Sequence, residues 1–380
     1  MKKLVKRLII VGSLAAVLTA VTLLARNEGI AEFMAGTVSR GILTAMGYAT
    51  SWIPFSLSQI IIIALIIIGL ALAAAFFVQL KKRGRKTWLK LLNLTAAVIA
   101  YIIFYNLSVG FAYHRKPLDL GISLNEPAEE YVAEATEYFI RDFAALADSL
   151  PRDTAGNVVS PYTFKELNQK LKEEYERIDN DYLGDFTPTA KPVGLSAVMA
   201  ELSIAGFFLG PLGEANVTKL ALDYERPFYI AHELAHAKGV MREFEADLTA
   251  SYLLLSSDDP YLRYSGYMIN YGYILSPMCA LQNDYYTELC DLIPDSVYTE
   301  MHNAYLLVAK YDMLDELGRK INDLYLKLNG QSKGVGSYDD PGSSVEIPSD
   351  PEDPTSPPII KYYYSVTELT IFSIYRTRTA

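Results

Sequence analysis

The chain has 380 residues, of which 51% are hydrophobic and 21% are charged. Residues 1–112 carry 12 basic and two acidic side chains, a net charge of +10, whereas residues 113–380 carry 22 basic and 42 acidic side chains, a net charge of −20. This acidic remainder argues against a nucleic acid partner, because phosphate binding requires basic surface. Two cysteines are too few for a disulfide-built miniprotein or an iron–sulfur cluster.

Three apolar runs near the N-terminus approach or exceed the roughly 20 residues that a helix needs to cross a bilayer. They are Leu8–Ala25, Ile60–Leu80 and Leu91–Ala112. The first is either an uncleaved anchor or a signal peptide, and the absence of a small-x-small cleavage site favours the anchor. The third contains polar and tyrosine side chains, so it is either a packed span or a buried helix of the body. We predict a membrane domain over residues 1–112.

Basic side chains beside the spans predict the orientation, because they favour the cytoplasmic side. The N-terminal cluster and Lys81–Lys86 would both be cytoplasmic, since residues 26–59 between them carry only two basic side chains. Everything after about residue 113 would then lie outside the cytoplasmic membrane. Apolar residues at helical spacing over 30–48 predict a helix along the outer membrane surface, or alternatively a short packed helix. The lipid bilayer is therefore an expected partner of a multi-pass protein.

The remainder of the chain is predicted to form one mostly helical domain over residues 113–337. The apolar segment 193–209 is either a helix leading into a strand or two strands. Ile204–Leu209 would be an exposed edge strand that aligns a peptide substrate by main-chain pairing, or a buried strand. Residues 338–359 are rich in proline and aspartate and are expected to be flexible, and 360–380 form a C-terminal tail.

The central motif is His232-Glu233-Leu234-Ala235-His236. On a helix, residues four apart share a face, so the two imidazoles can bind one ion. Glu233 then stands where its carboxylate can reach a zinc-activated water, which is the arrangement of zinc hydrolases. The motif predicts a zinc site, with one ion per chain and Glu233 as the general base.

A third protein ligand is expected from the acidic segment that follows the glycine break at Gly239. A helix that folds back there would present Glu243 to the metal. Asp247, one turn later, would accept a hydrogen bond from a ligand histidine. Glu245 points away from Asp247 on an ideal helix and is the reserve ligand. The alternative is a solvated acidic helix start.

The His-Glu-Leu-Ala-His motif followed by Glu243…Asp247 resembles the gluzincin metallopeptidases. That resemblance implies a zincin-like fold, with Glu243 as the third zinc ligand. More widely, the chain resembles an uncharacterised bacterial family of membrane proteins with such a motif, over about residues 1–338. The segments that carry this wider resemblance are Ile53–Ser56, Gly210–Asn216, His232–Gly239, Arg242–Asp247, Arg263–Tyr267 and Asp323–Lys327.

Several other residues are candidates for the site or its surroundings. Glu214 is either a residue of the cleft or part of a turn. His302 and Tyr264 are candidate donors to a developing oxyanion, together with Tyr267 and Tyr271. Cys279 and Cys290 form one disulfide or remain two free thiols.

Together these features predict a mainly α protein with three N-terminal transmembrane helices and a mostly helical zincin-like domain with a small β element. The expected function is that of a membrane-anchored zinc metallopeptidase acting on an envelope or extracellular peptide or protein. The alternative is a non-catalytic membrane-tethered binding or sensory protein with a structural metal site. A channel is disfavoured, because none of the three runs carries a membrane-buried charge.

Overall fold

The computed structural model describes residues 2–80, 85–122, 125–281, 285–340, 342–350 and 353–379. This part of the chain is mainly helical, with two small sheets. Residues 81–84 of the basic cluster that predicts the orientation lie outside the described residues.

The N-terminal part consists of long apolar helices and a shorter helical segment between the first two. Its α-helices are α1 (Lys2–Ala25), α2 (Glu28–Met34), α3 (Arg40–Ser51), α4 (Leu57–Leu80) and α5 (Arg85–Ser108). Among the described residues, three helical stretches are long and apolar enough to cross a membrane. They are Lys2–Ala25, Leu57–Ala74 and Trp88–Ser108.

These stretches confirm the three candidate membrane helices, with one correction to the third. The helix α5 ends at Ser108, four residues before the predicted end at Ala112. The chain then forms a short 3-10 helix, Gly110–His114, in which Phe111 is buried. The apolar side chains after Ser108 therefore pack against α2, the start of α3 and Met241 of the body rather than extending the span.

The predicted helix over residues 30–48 is found as α2, a π-helical turn and α3 in direct succession. One side of it is buried at Ala31, Ala35 and Leu43. Arg40 donates hydrogen bonds to the backbone carbonyls of Asp181 and Tyr182 in the body. The buried side of the segment is therefore packed against the rest of the protein, while Phe33 and Tyr48 remain exposed. Its location along the outer membrane surface stays a prediction.

The body is built from helices around one large core. Its helices are α6 (Glu129–Ser149), α7 (Phe164–Glu176), α8 (Ser196–Glu201), α9 (Glu225–Ala237), α10 (Glu243–Ser256), α11 (Pro260–Ala280), α12 (Tyr285–Asp291), α13 (Asp295–Ala309) and α14 (Asp315–Leu328). The core is apolar and aromatic, with Phe139, Phe143, Ile230 and Leu254 among its fully buried residues. It places α9 and α10 side by side in the middle of the body.

A three-stranded sheet covers one side of α9. Its strands are β1 (Lys191–Pro192), β2 (Gly206–Leu209) and β3 (Glu214–Val217), in the order β1-β3-β2. The strand β2 is antiparallel to β3 and lies at the edge of this sheet. Segment 193–209 is thus a short helix leading into a strand. That strand starts at Gly206 rather than at Ile204, and it is an edge strand with half-buried side chains.

The C-terminal part is more ordered than the sequence predicts. Residues expected to be flexible contain β4 (Ser343–Asp350) and most of β5 (Asp353–Tyr363), which form an antiparallel hairpin. The tail forms α15 (Val366–Thr379), whose Ile371, Phe372 and Ile374 are buried in the main core. Three apolar side chains facing one core explain why this tail is folded.

Candidate metal centre

The site is built where α9 ends and α10 begins. Gly239 adopts a positive φ of 98°, which reverses the chain after α9 at a conformation that favours glycine. The helix α10 then starts at Glu243, so this carboxylate returns to the face of α9 that carries His232 and His236. The local sequence therefore brings three metal-binding side chains together within 12 residues.

The three side chains form a cluster whose ligand atoms all lie within 4.8 Å of one another. Glu243 Oε2 is 3.3 Å from His232 Nε2 and 3.4 Å from His236 Nε2. A tetrahedral ion with bonds of about 2.0–2.1 Å requires its ligand atoms to be about 3.3–3.4 Å apart. The two distances to Glu243 match this spacing, so two imidazoles and one carboxylate here could hold a metal ion such as zinc and leave one coordination position open.

Hydrogen bonds fix the orientation of both imidazole rings. His232 Nδ1 lies 2.7 Å from Asp247 Oδ1, and His236 Nδ1 lies 2.7 Å from the carbonyl oxygen of Val240. A carbonyl oxygen only accepts, so His236 Nδ1 donates to it, and in the neutral ring this leaves Nε2 to bind a metal ion. Asp247 is placed to orient His232 in the same way.

Glu233 is buried beside the two histidines on α9. The net pKa of Glu233 is raised to about 7, mainly by burial. The carboxylates of Glu243 and Asp247 also raise this pKa, and the two histidines lower it. Its Oε2 atom is buried and has no hydrogen-bond partner among the described residues. An unpartnered buried carboxylate is costly to maintain, which makes Glu233 a candidate for chemistry rather than for structure.

The reserve ligand Glu245 is not part of the cluster. Its carboxylate forms an ion pair with Arg242 at 2.9 Å and accepts a hydrogen bond from the backbone amide of Leu118. The geometry thus favours Glu243 over Glu245 as the third ligand.

Glu214 lies away from the cluster, in a role that the sequence did not indicate. It is buried and forms an ion pair of 2.5 Å with Lys191. It also accepts hydrogen bonds from the backbone amides of Leu57 and Ser58, the first residues of α4. Glu214 therefore stabilises the start of a candidate membrane helix, which corrects its assignment to the cleft.

The expected oxyanion donors also lie elsewhere. The hydroxyl of Tyr264 donates to Glu300 at 2.7 Å and accepts from Arg152. His302 is an exposed residue whose ring stacks on Tyr305. Tyr264 and His302 therefore make contacts that do not include the cluster of His232, His236 and Glu243.

Tyrosines from other segments lie closer to the cluster. Burial and the charge of Glu243 raise the pKa values of Tyr113, Tyr325 and Tyr338. The hydroxyls of Tyr113 and Tyr325 are 2.8 Å apart. No local sequence pattern indicates these tyrosines as site candidates, although Tyr325 lies in the segment Asp323–Lys327 that carries the family resemblance.

The remaining sequence-based alternative concerns the cysteines. Cys279 and Cys290 are free thiols, and Cys279 is exposed. The structure thus corresponds to the alternative of two thiols rather than a disulfide.

The fold and the cluster together define a class: a mainly helical protein with three helices able to cross a membrane and a candidate metal centre. Residues 36–341 match the family described as "Protein of unknown function (DUF3810)", and the chain belongs to this family. The expected membership of an uncharacterised family is thereby confirmed. No curated protein and no solved structure is significantly similar to the chain.

Proposed function

We propose that this protein is a membrane-anchored zinc metallopeptidase. The observation that supports this most strongly is the pairing of a candidate ligand cluster, His232, His236 and Glu243, with the buried Glu233, whose Oε2 atom has no hydrogen-bond partner among the described residues. A structural metal site needs the ligands but does not need such a carboxylate oxygen. The edge strand β2 provides a main-chain template for an extended peptide beside the same residues.

In this proposal His232, His236 and Glu243 hold the zinc ion, and Asp247 orients His232. A zinc ion bound there supplies Lewis-acid polarisation of the scissile carbonyl and lowers the pKa of water to about 7. Glu233 takes one proton from the attacking water and transfers it to the leaving amine as the C–N bond breaks. The products are a carboxylic acid and an amine. The hydroxyl of Tyr325 donates a hydrogen bond to the developing oxyanion.

The experiment that tests this function compares variants of the full chain purified in detergent. Zinc is measured per chain by mass spectrometry, and hydrolysis is measured on a peptide library. We expect one zinc per wild-type chain, loss of zinc in His236→Ala, and retained zinc without hydrolysis in Glu233→Gln. Glu316→Gln is the matched control, because Glu316 is exposed on α14 and its side chain is 82% accessible.

The opposite result would support the non-catalytic alternative. Wild-type protein that holds zinc, hydrolyses no peptide and unfolds when the metal is chelated would contain a structural site in a binding or sensory protein. Wild-type protein that binds no zinc after reconstitution would remove the basis for hydrolysis altogether.

We further propose that the site faces the outside of the cytoplasmic membrane, so that its substrates are envelope or extracellular peptides. The basic side chains beside the first two spans support this orientation. The exposed thiol of Cys279 provides the test. A membrane-impermeant maleimide should label intact cells that express the wild-type chain, and a Cys279→Ser variant should be labelled far less. Labelling only after lysis would reverse the proposed orientation.

A further inference from the structure

The helix α14 carries an exposed apolar stripe. Leu317, Ile321, Leu324 and Leu328 are spaced by four, three and four residues, so they lie on one face of the helix. Between 50% and 78% of each of these residues is accessible. The opposite side of α14 packs inward through the buried Leu326. A water-exposed helix of a folded body normally has charged side chains where this stripe stands.

The same helix is attached to the end of a membrane helix. Tyr105 lies in the last turn of α5, and its hydroxyl is 3.1 Å from the hydroxyl of Tyr325 and 2.9 Å from Asn329 Oδ1. Tyr113, just past the end of α5, also hydrogen bonds to the Tyr325 hydroxyl, at 2.8 Å. The second half of α14 is therefore fixed at the level where α5 leaves the membrane.

A second attachment places the start of α14 near the same membrane surface. The amide of Met313 donates to Glu201 at the end of α8, and Ser203 donates to Asp315. The start of α8 is in turn held by Gln59, because Gln59 Oε1 accepts hydrogen bonds from the two residues that precede α8. Gln59 belongs to the first turn of α4.

These two attachments lie on one side of the bilayer. Since α4 and α5 are consecutive spans, the start of α4 and the end of α5 emerge at the same surface. The apolar stripe continues along that surface with Met313, which is 81% exposed, and with Val198 of α8, which is 49% exposed. Its location at the exit of two spans identifies lipid as the chemistry that covers it.

We propose that the apolar stripe of α14, together with Met313 and Val198, rests in the lipid interface where α5 emerges, so that the metal centre acts on peptide segments at the membrane surface. The contact with lipid stands on its own. The substrate class rests on the proposed peptidase function. Tyr325 connects the two by packing: its hydroxyl lies 2.8 Å from that of Tyr113. Tyr113 is buried in the same apolar cluster as Met241, which lies between His236 and Glu243 in the sequence.

The lipid contact is tested with single-cysteine variants of the full chain in a Cys279→Ser, Cys290→Ser background. Leu324→Cys and Glu316→Cys are each labelled with a bimane fluorophore and placed in phosphatidylethanolamine/phosphatidylglycerol nanodiscs with doxyl-labelled lipid. We expect at least threefold stronger quenching at position 324 than at position 316, which lies on the charged side of α14. Equal quenching at both positions would overturn the contact.

The other occupant of such a face would be a second copy of the chain. Oxidation of the unlabelled Leu324→Cys protein distinguishes it. Formation of a disulfide-linked dimer together with weak lipid quenching would assign the stripe to a protein interface and overturn the proposal. A monomer with strong quenching supports it.

The substrate class is tested with a library peptide that the enzyme cleaves, with and without an N-terminal palmitoyl chain, in vesicles of the same lipids. We expect kcat/KM to be at least tenfold higher for the palmitoylated peptide. A Leu324→Asp, Leu328→Asp variant should lose that preference and keep its zinc. Equal cleavage of both peptides would overturn the substrate class, whereas cleavage of no library peptide by zinc-loaded protein would overturn the peptidase function and leave the quenching result intact.

Discussion

The main chain of Gly206 lies directly against the side chain of Glu233. A Cβ atom added at Gly206 would stand 2.8 Å from Glu233 Cγ and 2.9 Å from Glu233 Cδ. Real Cβ atoms essentially never approach other atoms so closely, so any larger residue at this position would force the Glu233 side chain to move. The edge strand and the candidate general base are therefore packed together, and a peptide paired with β2 would pass beside the metal-binding cluster.

This contact predicts that Gly206→Ala displaces Glu233 and leaves the ligands in place. We expect zinc content to stay near one per chain and kcat to fall by about 100-fold, since a displacement of about 1 Å in a catalytic group has effects of that size. Gly272→Ala is the control, because a Cβ there meets nothing within 4 Å. An unchanged kcat in Gly206→Ala would separate β2 from the reaction.

The ligand assignment predicts different behaviour for two neighbouring glutamates. Glu243→Gln removes a proposed ligand and should abolish zinc binding, whereas Glu245→Gln removes the charge partner of Arg242 and an acceptor of the Leu118 amide and should retain zinc. Asp247→Asn should weaken zinc binding by about 10–100-fold, because an asparagine has no carboxylate charge with which to orient the His232 ring. The measurement is a zinc competition titration, and loss of zinc from Glu245→Gln alone would exchange the roles of the two glutamates.

Zinc affinity should rise with pH. Burial lowers the pKa of His232, but Asp247 and Glu243 raise it by more than burial lowers it. The net pKa of His232 is therefore well above its usual value. The net pKa of His236 is also raised, mainly through Glu243 against the effect of burial.

Both rings must lose a proton to bind metal, so affinity falls as these groups become protonated, by about tenfold per pH unit for each displaced proton. The stability of the metal-free fold should follow the opposite trend and fall as pH rises. The stability from the protonated rings is complete below the unfolded pKa of about 6.5 and is lost as pH rises through the raised folded pKa. Zinc titrations and thermal unfolding between about pH 6 and pH 8 check both trends, and a pH-independent affinity would contradict them.

The buried ion pair of Lys191 and Glu214 predicts a stability effect without a metal effect. Glu214→Gln leaves Lys191 buried without its charge partner and weakens the binding of the first α4 amides, at a cost of about 3–5 kcal/mol. The melting temperature should fall clearly while zinc content stays constant. Glu316→Gln removes one partner of an exposed pair with Lys320 and should cost less than about 1 kcal/mol. Equal melting temperatures for the two variants would show that the buried pair contributes little.

Two tyrosines should respond differently to loss of the hydroxyl. Tyr325→Phe should lower kcat by about 100-fold with zinc retained, as expected for loss of an oxyanion donor. Tyr264→Phe breaks contacts with Glu300 and Arg152 and should lower the melting temperature while kcat is kept. A full kcat in Tyr325→Phe would exclude the proposed donor.

Local spacing explains which parts of the site are readable in the sequence. His232 and His236 share a helix face because of helix geometry alone, and the return of Glu243 depends only on the turn at Gly239. The convergence of Tyr113 and Tyr325 depends instead on how distant helices pack, which no local pattern encodes. The same holds for Glu214, whose sequence neighbours give no sign that its carboxylate holds the start of α4.

Composition is likewise a poor guide to the structure of the C-terminal segment. Proline and aspartate over residues 338–359 predict a flexible stretch, yet the pairing of β4 with β5 gives those backbone groups partners. Tyr362 and Glu368 then hydrogen bond at 2.6 Å and tie the hairpin to α15. Tertiary contacts of this kind override local propensity.

The packing of α15 against α10 has a consequence for the order of events during synthesis. The helix that carries Glu243 is covered by residues 366–379, which leave the ribosome more than a hundred positions later. Until those residues have been synthesised, α10 lacks the core contacts of Ile371, Phe372 and Ile374. The helix that carries Glu243 therefore depends for its packing on a segment made much later than the histidines it faces.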